Sequence, residues 1–298
     1  MPLNEQTAAI NEMVVASRAD APPPTPATIR EGYATLIGLV GKKEFSSKVE
    51  PIDVGGLDSL LFTPPECDDG LLVWFHGGGW VINSPELSSS EADRLAVAGR
   101  CRVLNVGYGL APEHPMPGPQ LDAIAAATWA IEHAAELGAN PAKVAVGGDS
   151  AGGNLAAVAA QRVPGLRAQV LVYPGVDNRA QDRYDHDEGY MLDGATMRFF
   201  ISTAAGDFDV NDPLVSPLLA DREVLAATPP ALVLTAEYDP LLDQSRKYSA
   251  ALTHAGVAVT DVHFDDETHL FFSLTEVLDG ARRAIEATGS FLREQFSS

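Results

Sequence analysis

Cysteine is scarce: there are two in 298 residues, Cys67 and Cys101. Two thiols cannot build a disulfide framework, and neither has another cysteine beside it at metal-ligand spacing. A reducing cytoplasm is the expected compartment. Cys101 opens an apolar stretch and reads as a core residue. Positive charge is also scarce. The chain has 20 Lys and Arg against 41 Asp and Glu, a formal net charge of −21. Such a chain repels phosphate backbones and anionic headgroups, which argues against nucleic acid and membrane surfaces as partners. Long apolar runs are missing. None approaches the ~20 residues that a membrane span needs. The opening MPLNEQTAAINEMVVASRAD has no basic n-region and no unbroken apolar stretch, so no signal peptide is expected. Internal repeats and long low-complexity tracts are lacking too.

What remains is ordinary globular material, 46% hydrophobic and 20% charged. The length suits one large α/β domain carrying an insertion. Two helices open the chain, separated by the stiff break APPPTPAT at 21–28; the second runs from near Ile29 to about Val40. SKVEPIDV and LDSLLFTP alternate in polarity and read as a hairpin turning at Gly55-Gly56. From there short apolar strands alternate with helices. The strands are GLLVWFH, RVLNVGY, KVAVGG, AQVLVYP, PALVLTAEYDP and VAVTDVHF. The helices cover 91–99, with Gly99 as C-terminal cap, then 120–137, 151–162, 241–254 and 276–296. This rhythm predicts a largely parallel sheet with helices on both faces. It breaks at 177–212, which is polar and then apolar, and reads as a mostly helical insertion.

VAVGGDSAGGNLAAVAAQ, at 144–161, places Gly148-Asp149-Ser150-Ala151-Gly152 where a strand becomes a helix. That context fits a nucleophile elbow, a sharp turn presenting a serine hydroxyl above the sheet edge. A phosphate-binding glycine turn is the alternative, but Asn154 stands where a Walker-type loop has lysine. VWFHGGGWV, at 73–81, adds consecutive glycines after an earlier strand. Bare backbone N–H groups there could receive the oxyanion of a tetrahedral intermediate, with the N–H of Ala151 as a further donor. A flexible loop is the plainer reading of the same glycines.

A serine needs a base, and the base needs an orienting group. Of the late histidines, His254 sits at a helix end and suits a cap, and His263 alternates within a strand. His269 lies between a strand and a helix, so it is our choice for the base. For the acid we choose Asp239, at the C-terminal end of an apolar strand, where α/β sites form. Asp265, Asp266 and Glu237 are its rivals.

HGGGW at 76–80, GDSAGGN at 148–154, AEYDPL at 236–241 and H-x-F at 269–271 together resemble the bacterial hormone-sensitive-lipase-like carboxylesterases of the α/β-hydrolase fold. YGLAPEHPMP at 108–117 resembles that family's linker. The resemblance covers roughly 45–298. It implies a core of 45–176 and 213–298, with a helical cap built from 1–44 and 177–212. It implies Ser150 as nucleophile, His269 as general base, Asp239 as orienting carboxylate, and Gly78, Gly79 and Ala151 as the oxyanion hole. His76 would support that loop. Trp80, Met191, Phe199 and Leu270 are the candidate pocket residues, with Phe200 beside Phe199 in the same aromatic run, although core packing explains Met191 and the two phenylalanines at least as well. Two positions depart from the pattern. Gly109 replaces an arginine, which would loosen a buried ionic contact, and Leu270 replaces a glycine, which would narrow the pocket beside His269.

The implied function is hydrolysis of short-chain esters, aryl esters included, through an acyl-enzyme. No metal or organic cofactor is expected. The expected partner is a small ester, and the expected state a monomer or homodimer. An amidase or acyltransferase would use the same triad. Plant gibberellin receptors resemble this family without the catalytic histidine, so a non-catalytic binder is a further alternative; here all three triad residues are present.

Overall fold

The computed structural model describes residues 2–18, 23–41, 44–179 and 189–297. The helices at the start are α1 (Glu5–Arg18) and α2 (Pro26–Val40). The proline at the head of α2 has no N–H to lose there, and Thr25 and Thr28 form a reciprocal cap. The hairpin strands are β1 (Lys48–Asp53) and β2 (Asp58–Thr63), paired antiparallel as the alternation predicts.

Six further strands follow: β3 (Leu71–Phe75), β4 (Arg102–Val106), β5 (Val144–Asp149), β6 (Ala168–Val172), β7 (Ala231–Tyr238) and β8 (Val259–Thr268). They join one eight-stranded sheet in the order β1-β2-β4-β3-β5-β6-β7-β8. Pairing is antiparallel through β1, β2 and β4, and parallel from β4 to β8. The helices between them are α3 (Ser89–Gly99), α4 (Gly118–His133), α5 (Ala151–Arg162), α6 (Gly194–Ala205), α7 (Arg222–Ala226) and α8 (Leu242–Ala255), and α9 (Asp279–Ser297) follows β8.

Strand β3 shows why the apolar runs are continuous. Leu71, Val73 and Phe75 belong to one apolar cluster, with residues of α4 and α5, while Leu72 and Trp74 belong to the other, with residues of α3 and α9. Side chains alternate between faces, and both faces are covered. All five β3 residues are buried. Order reverses around β3, so the C-terminal ends of β3 and β5 open on a common crevice, the usual ligand position in such sheets.

Three local expectations need correction. Gly99 is the last residue of α3, and Arg100 takes the left-handed cap conformation, with φ 51°. A Cβ at Gly99 would lie 2.9 Å from Cys101 Sγ, so this glycine answers to packing. Strand β8 runs on to Thr268, beyond the expected end at Phe264, and His269 stands in the turn directly after it. Within 177–212, α6 is the one α-helix among the described residues; 180–188 lie outside them.

Candidate active site

Ser150 sits between β5 and α5 with φ 55° and ψ −115°, a backbone conformation that strains a residue bearing Cβ. Its N–H donates to Val172 O at 2.8 Å, and its carbonyl accepts from Asn154 and Gly175, both at 3.1 Å. The turn is this tight because its glycines permit contact. A Cβ at Gly148 would lie 2.3 Å from Gly152 O, and one at Gly152 would lie 1.8 Å from Phe75 O.

Three segments far apart in sequence meet at this hydroxyl. Nε2 of His269 is 2.9 Å from Ser150 Oγ. Nδ1 of His269 donates to Asp239 Oδ2 at 2.8 Å. That bond assigns the proton to Nδ1 and leaves Nε2 as acceptor for the serine proton. Asp239, just beyond β7, also accepts the Leu241 N–H at 2.7 Å. The His269 and Asp239 side chains are fully buried. The rivals lie elsewhere. Glu237 is exposed and bound to His263 at 3.0 Å. Asp266 faces Arg283, Asp265 is exposed, and His254 is in the last turn of α8.

The glycine triple forms the loop after β3. Gly78 and Gly79 take φ of 122° and 59°, which favour glycine. Gly78 O accepts the N–H groups of Val81 and Ile82, each at 3.0 Å. The loop is pinned from below. Gly77 N–H donates to Asp149 Oδ1 at 2.6 Å. His76 Nδ1 donates to Gly77 O at 2.8 Å, the Tyr108 hydroxyl donates to His76 O at 2.7 Å, and the two rings stack. Burial pushes the His76 imidazole down to about 4, so it is neutral at physiological pH. From α2, Arg30 donates to Val81 O and Ala111 O, each at 2.8 Å, while pairing with Glu113. Ala151 opens α5, where the first N–H groups lack helical partners.

The candidate pocket residues differ in placement. Trp80 is buried with φ 61°, near Gly175. Met191 is buried in the apolar cluster that includes Trp74 and Phe272. Phe199 is half-buried against the opposite cluster, tilted 58° to Phe200. Leu270 has φ 72°, which gives a physical reason for glycine after the histidine in the resembled pattern. At the other departure, Gly109 N–H donates to Asp122 at 2.9 Å, and His114 lies 3.2 Å from the same carboxylate. A Cβ at 109 would lie 2.4 Å from the His114 ring.

Phe200, the second member of the aromatic run Phe199-Phe200, has its ring directly on Gly79. Sequence reasoning missed Tyr173, packed with its centroid 4.4 Å from that of His269. An aromatic at the end of a buried strand reads as core, and only the fold sets it against the site.

The family model described as α/β hydrolase fold matches residues 72–273. The carboxylic ester hydrolase LipN of Mycobacterium tuberculosis is 39% identical over 241 residues, which is 76% of this chain and 64% of LipN. The chain thus spans just under two thirds of that relative. The ethyl acetate hydrolase of Pseudomonas putida is 37% identical over 234 residues, 74% of this chain and 73% of its own. The solved structure of the ester hydrolase EH1AB1 from the Lake Arreo metagenome superposes with a TM-score of 0.90 at 34% identity, covering 99% of this chain and 100% of that one. The chain belongs to the α/β-hydrolase fold family, in its hormone-sensitive-lipase-like branch.

Proposed function

We propose that the protein is a serine carboxylesterase acting on short-chain esters, aryl esters included. The observation that carries this reading is the continuous hydrogen-bond chain from Ser150 Oγ through His269 to Asp239. Relatives named as carboxylic ester hydrolase and ethyl acetate hydrolase support the substrate class.

Ser150 Oγ attacks the ester carbonyl as His269 Nε2 takes its proton. Asp239 holds the imidazole in the required tautomer and stabilises its cation. N–H groups of Gly78, Gly79 and Ala151 receive the developing oxyanion, where each donor is worth about 10²–10³ in rate. The C–O bond breaks and the alcohol leaves with the proton from His269. Water then adds to the acyl-enzyme, its proton passing to His269, and the acid departs as Ser150 regains its hydrogen.

Residues 1–44 and 177–212 form the cap in this reading, and a covered site favours short acyl groups. Trp80, Met191, Phe199 and Leu270 are its proposed walls. Two free cysteines suit a cytoplasmic enzyme. Among the described residues no helix is long and apolar enough to cross a membrane. A monomer or homodimer is the assembly we propose.

The test is hydrolysis of p-nitrophenyl esters from acetate to palmitate, by wild type and by Ser150→Ala. The expected result is a short-chain maximum, reduced at least ~10⁴-fold in the variant. Equal turnover in folded Ser150→Ala would overturn the reading. Faster cleavage of matched anilides would point to an amidase.

A further inference from the structure

Glu91 stands in the first turn of α3, where an acidic residue ordinarily faces solvent and complements the helix dipole. Here it is 1% exposed. Its Oε1 accepts the Trp74 indole N–H at 3.3 Å, and Ser273 lies beside the carboxyl. Its Oε2 is buried with no hydrogen-bond partner. The neighbouring carboxyl is Asp149, also 1% exposed and directly before Ser150. Asp149 holds the Gly77 N–H at 2.6 Å, and Ser273 Oγ lies 3.5 Å from its second oxygen. Ser273 ends the short turn after His269. Segments carrying the nucleophile, the base and the oxyanion loop therefore meet at two acids.

We infer that Glu91 is a positioning residue for ester hydrolysis: of the two buried acids it carries the one proton, and so leaves Asp149 ionised on the Gly77 N–H that holds the oxyanion loop in register with Ser150. This rests on the esterase reading above. Two buried carboxylates cannot both ionise cheaply without a cation. The titratable groups facing the pair are Tyr33 of α2, Tyr108 beyond β4, Tyr173 beyond β6 and His269 beyond β8. None is a lysine or arginine, and Arg94 of the same helix is engaged by Glu276 at 2.9 Å. Burial and mutual repulsion push Glu91 well above the usual carboxyl range, and burial raises Asp149. The backbone donor favours the anion on Asp149, so the proton belongs on Glu91, whose Oε2 has no partner. An ionised Asp149 then grips Gly77, the residue before the oxyanion donors, with a charge-assisted bond. Ionising Glu91 as well sets two anions side by side and slackens that grip. The loss falls on the transition state, hence on kcat rather than KM.

The experiment compares wild type, Glu91→Gln and Glu91→Leu, with kcat and KM measured from pH 5 to 10 and urea stability over the same range. Glutamine keeps the shape and a donor without the titration. The expected result is kcat within about threefold of wild type at pH 7, with the alkaline decline in kcat moved to higher pH. Leucine supplies no acceptor for the Trp74 indole N–H on β3, the strand that leads into the oxyanion loop, and kcat falls ~10-fold or more with KM within about twofold. The folded protein keeps a proton that the unfolded chain releases, so this group's stabilisation is full at low pH and lost as pH rises. That fall should be shallower in Glu91→Gln. A Glu91→Gln protein matching wild type in both the kcat profile and the stability slope overturns the inference, even if Glu91→Leu fails to fold. Inactive wild type would overturn the esterase reading instead, and the stability slopes would still test the proton on Glu91.

Discussion

The Phe200 ring packs against Gly79: a Cβ built on that glycine would fall 2.2 Å from the ring's Cγ. A helix of the inserted segment thus bears directly on the loop after β3. Phe200 shares an apolar cluster with Trp80 and Ile82 of that loop, which fixes the contact from both sides. Gly79→Ala must displace the ring and also adopt φ 59°, at a backbone cost of ~1–2 kcal/mol. We expect kcat to fall about 100-fold with the protein still folded. Adding Phe200→Ala should recover at least tenfold of that loss, because it removes the clash and leaves only the backbone cost. A double variant no faster than Gly79→Ala would show that the ring is not what constrains the loop.

Leu270 follows His269 in a left-handed conformation. Leu270→Gly relieves ~1–2 kcal/mol of backbone strain. It also gives up a half-buried apolar side chain and adds chain entropy to the unfolded state. These nearly cancel, so stability in urea should stay within about 1 kcal/mol of wild type. Leu270→Val places a β-branched residue at the same φ and should cost roughly 2 kcal/mol or more. Glycine as destabilising as valine would contradict this account.

His76 supplies a pH prediction. Burial lowers its folded value to about 4, against an ordinary 6.5. As pH falls below 6.5 the unfolded chain takes up a proton that the folded protein refuses. Stability from this residue is therefore full above 6.5 and lost toward pH 4. Between pH 7 and pH 5 the loss is about 2 kcal/mol, at ~1.4 kcal/mol per pH unit. His76→Gln should be weaker than wild type at pH 7 but lose less on acidification, read from urea midpoints at both pH values. An equal acid loss in both proteins would show that His76 is not held neutral.

The fold was legible wherever polarity changed period. β3 is covered on both faces, so its apolar run is unbroken, and helix α5 begins at the residue expected. The candidate site was legible in part: Ser150, Asp239 and His269 each sit where a strand ends, while Glu237, Asp265 and Asp266 competed for the acid until the structure placed His269 Nδ1 at 2.8 Å from Asp239. What stayed hidden depended on tertiary contact. Glu91 reads as a solvated helix start, and nothing local shows that Trp74 and Ser273 enclose it. Phe199 and Phe200 are adjacent and equally apolar. Which of them faces Gly79 depends on how α6 is rotated over the core. Arg100 in place of glycine at the end of α3 is a further case, where Cys101 leaves no room for a side chain on Gly99.

The central claim is that Ser150 carries the acyl group between two half-reactions. Rapid mixing with p-nitrophenyl acetate, followed by acid quench and peptide mass analysis, addresses it directly. The account predicts a burst of p-nitrophenol close to the enzyme concentration, and an acetyl group on the peptide holding Ser150. Steady release of p-nitrophenol with acetyl on no peptide, or on a peptide lacking Ser150, would contradict it.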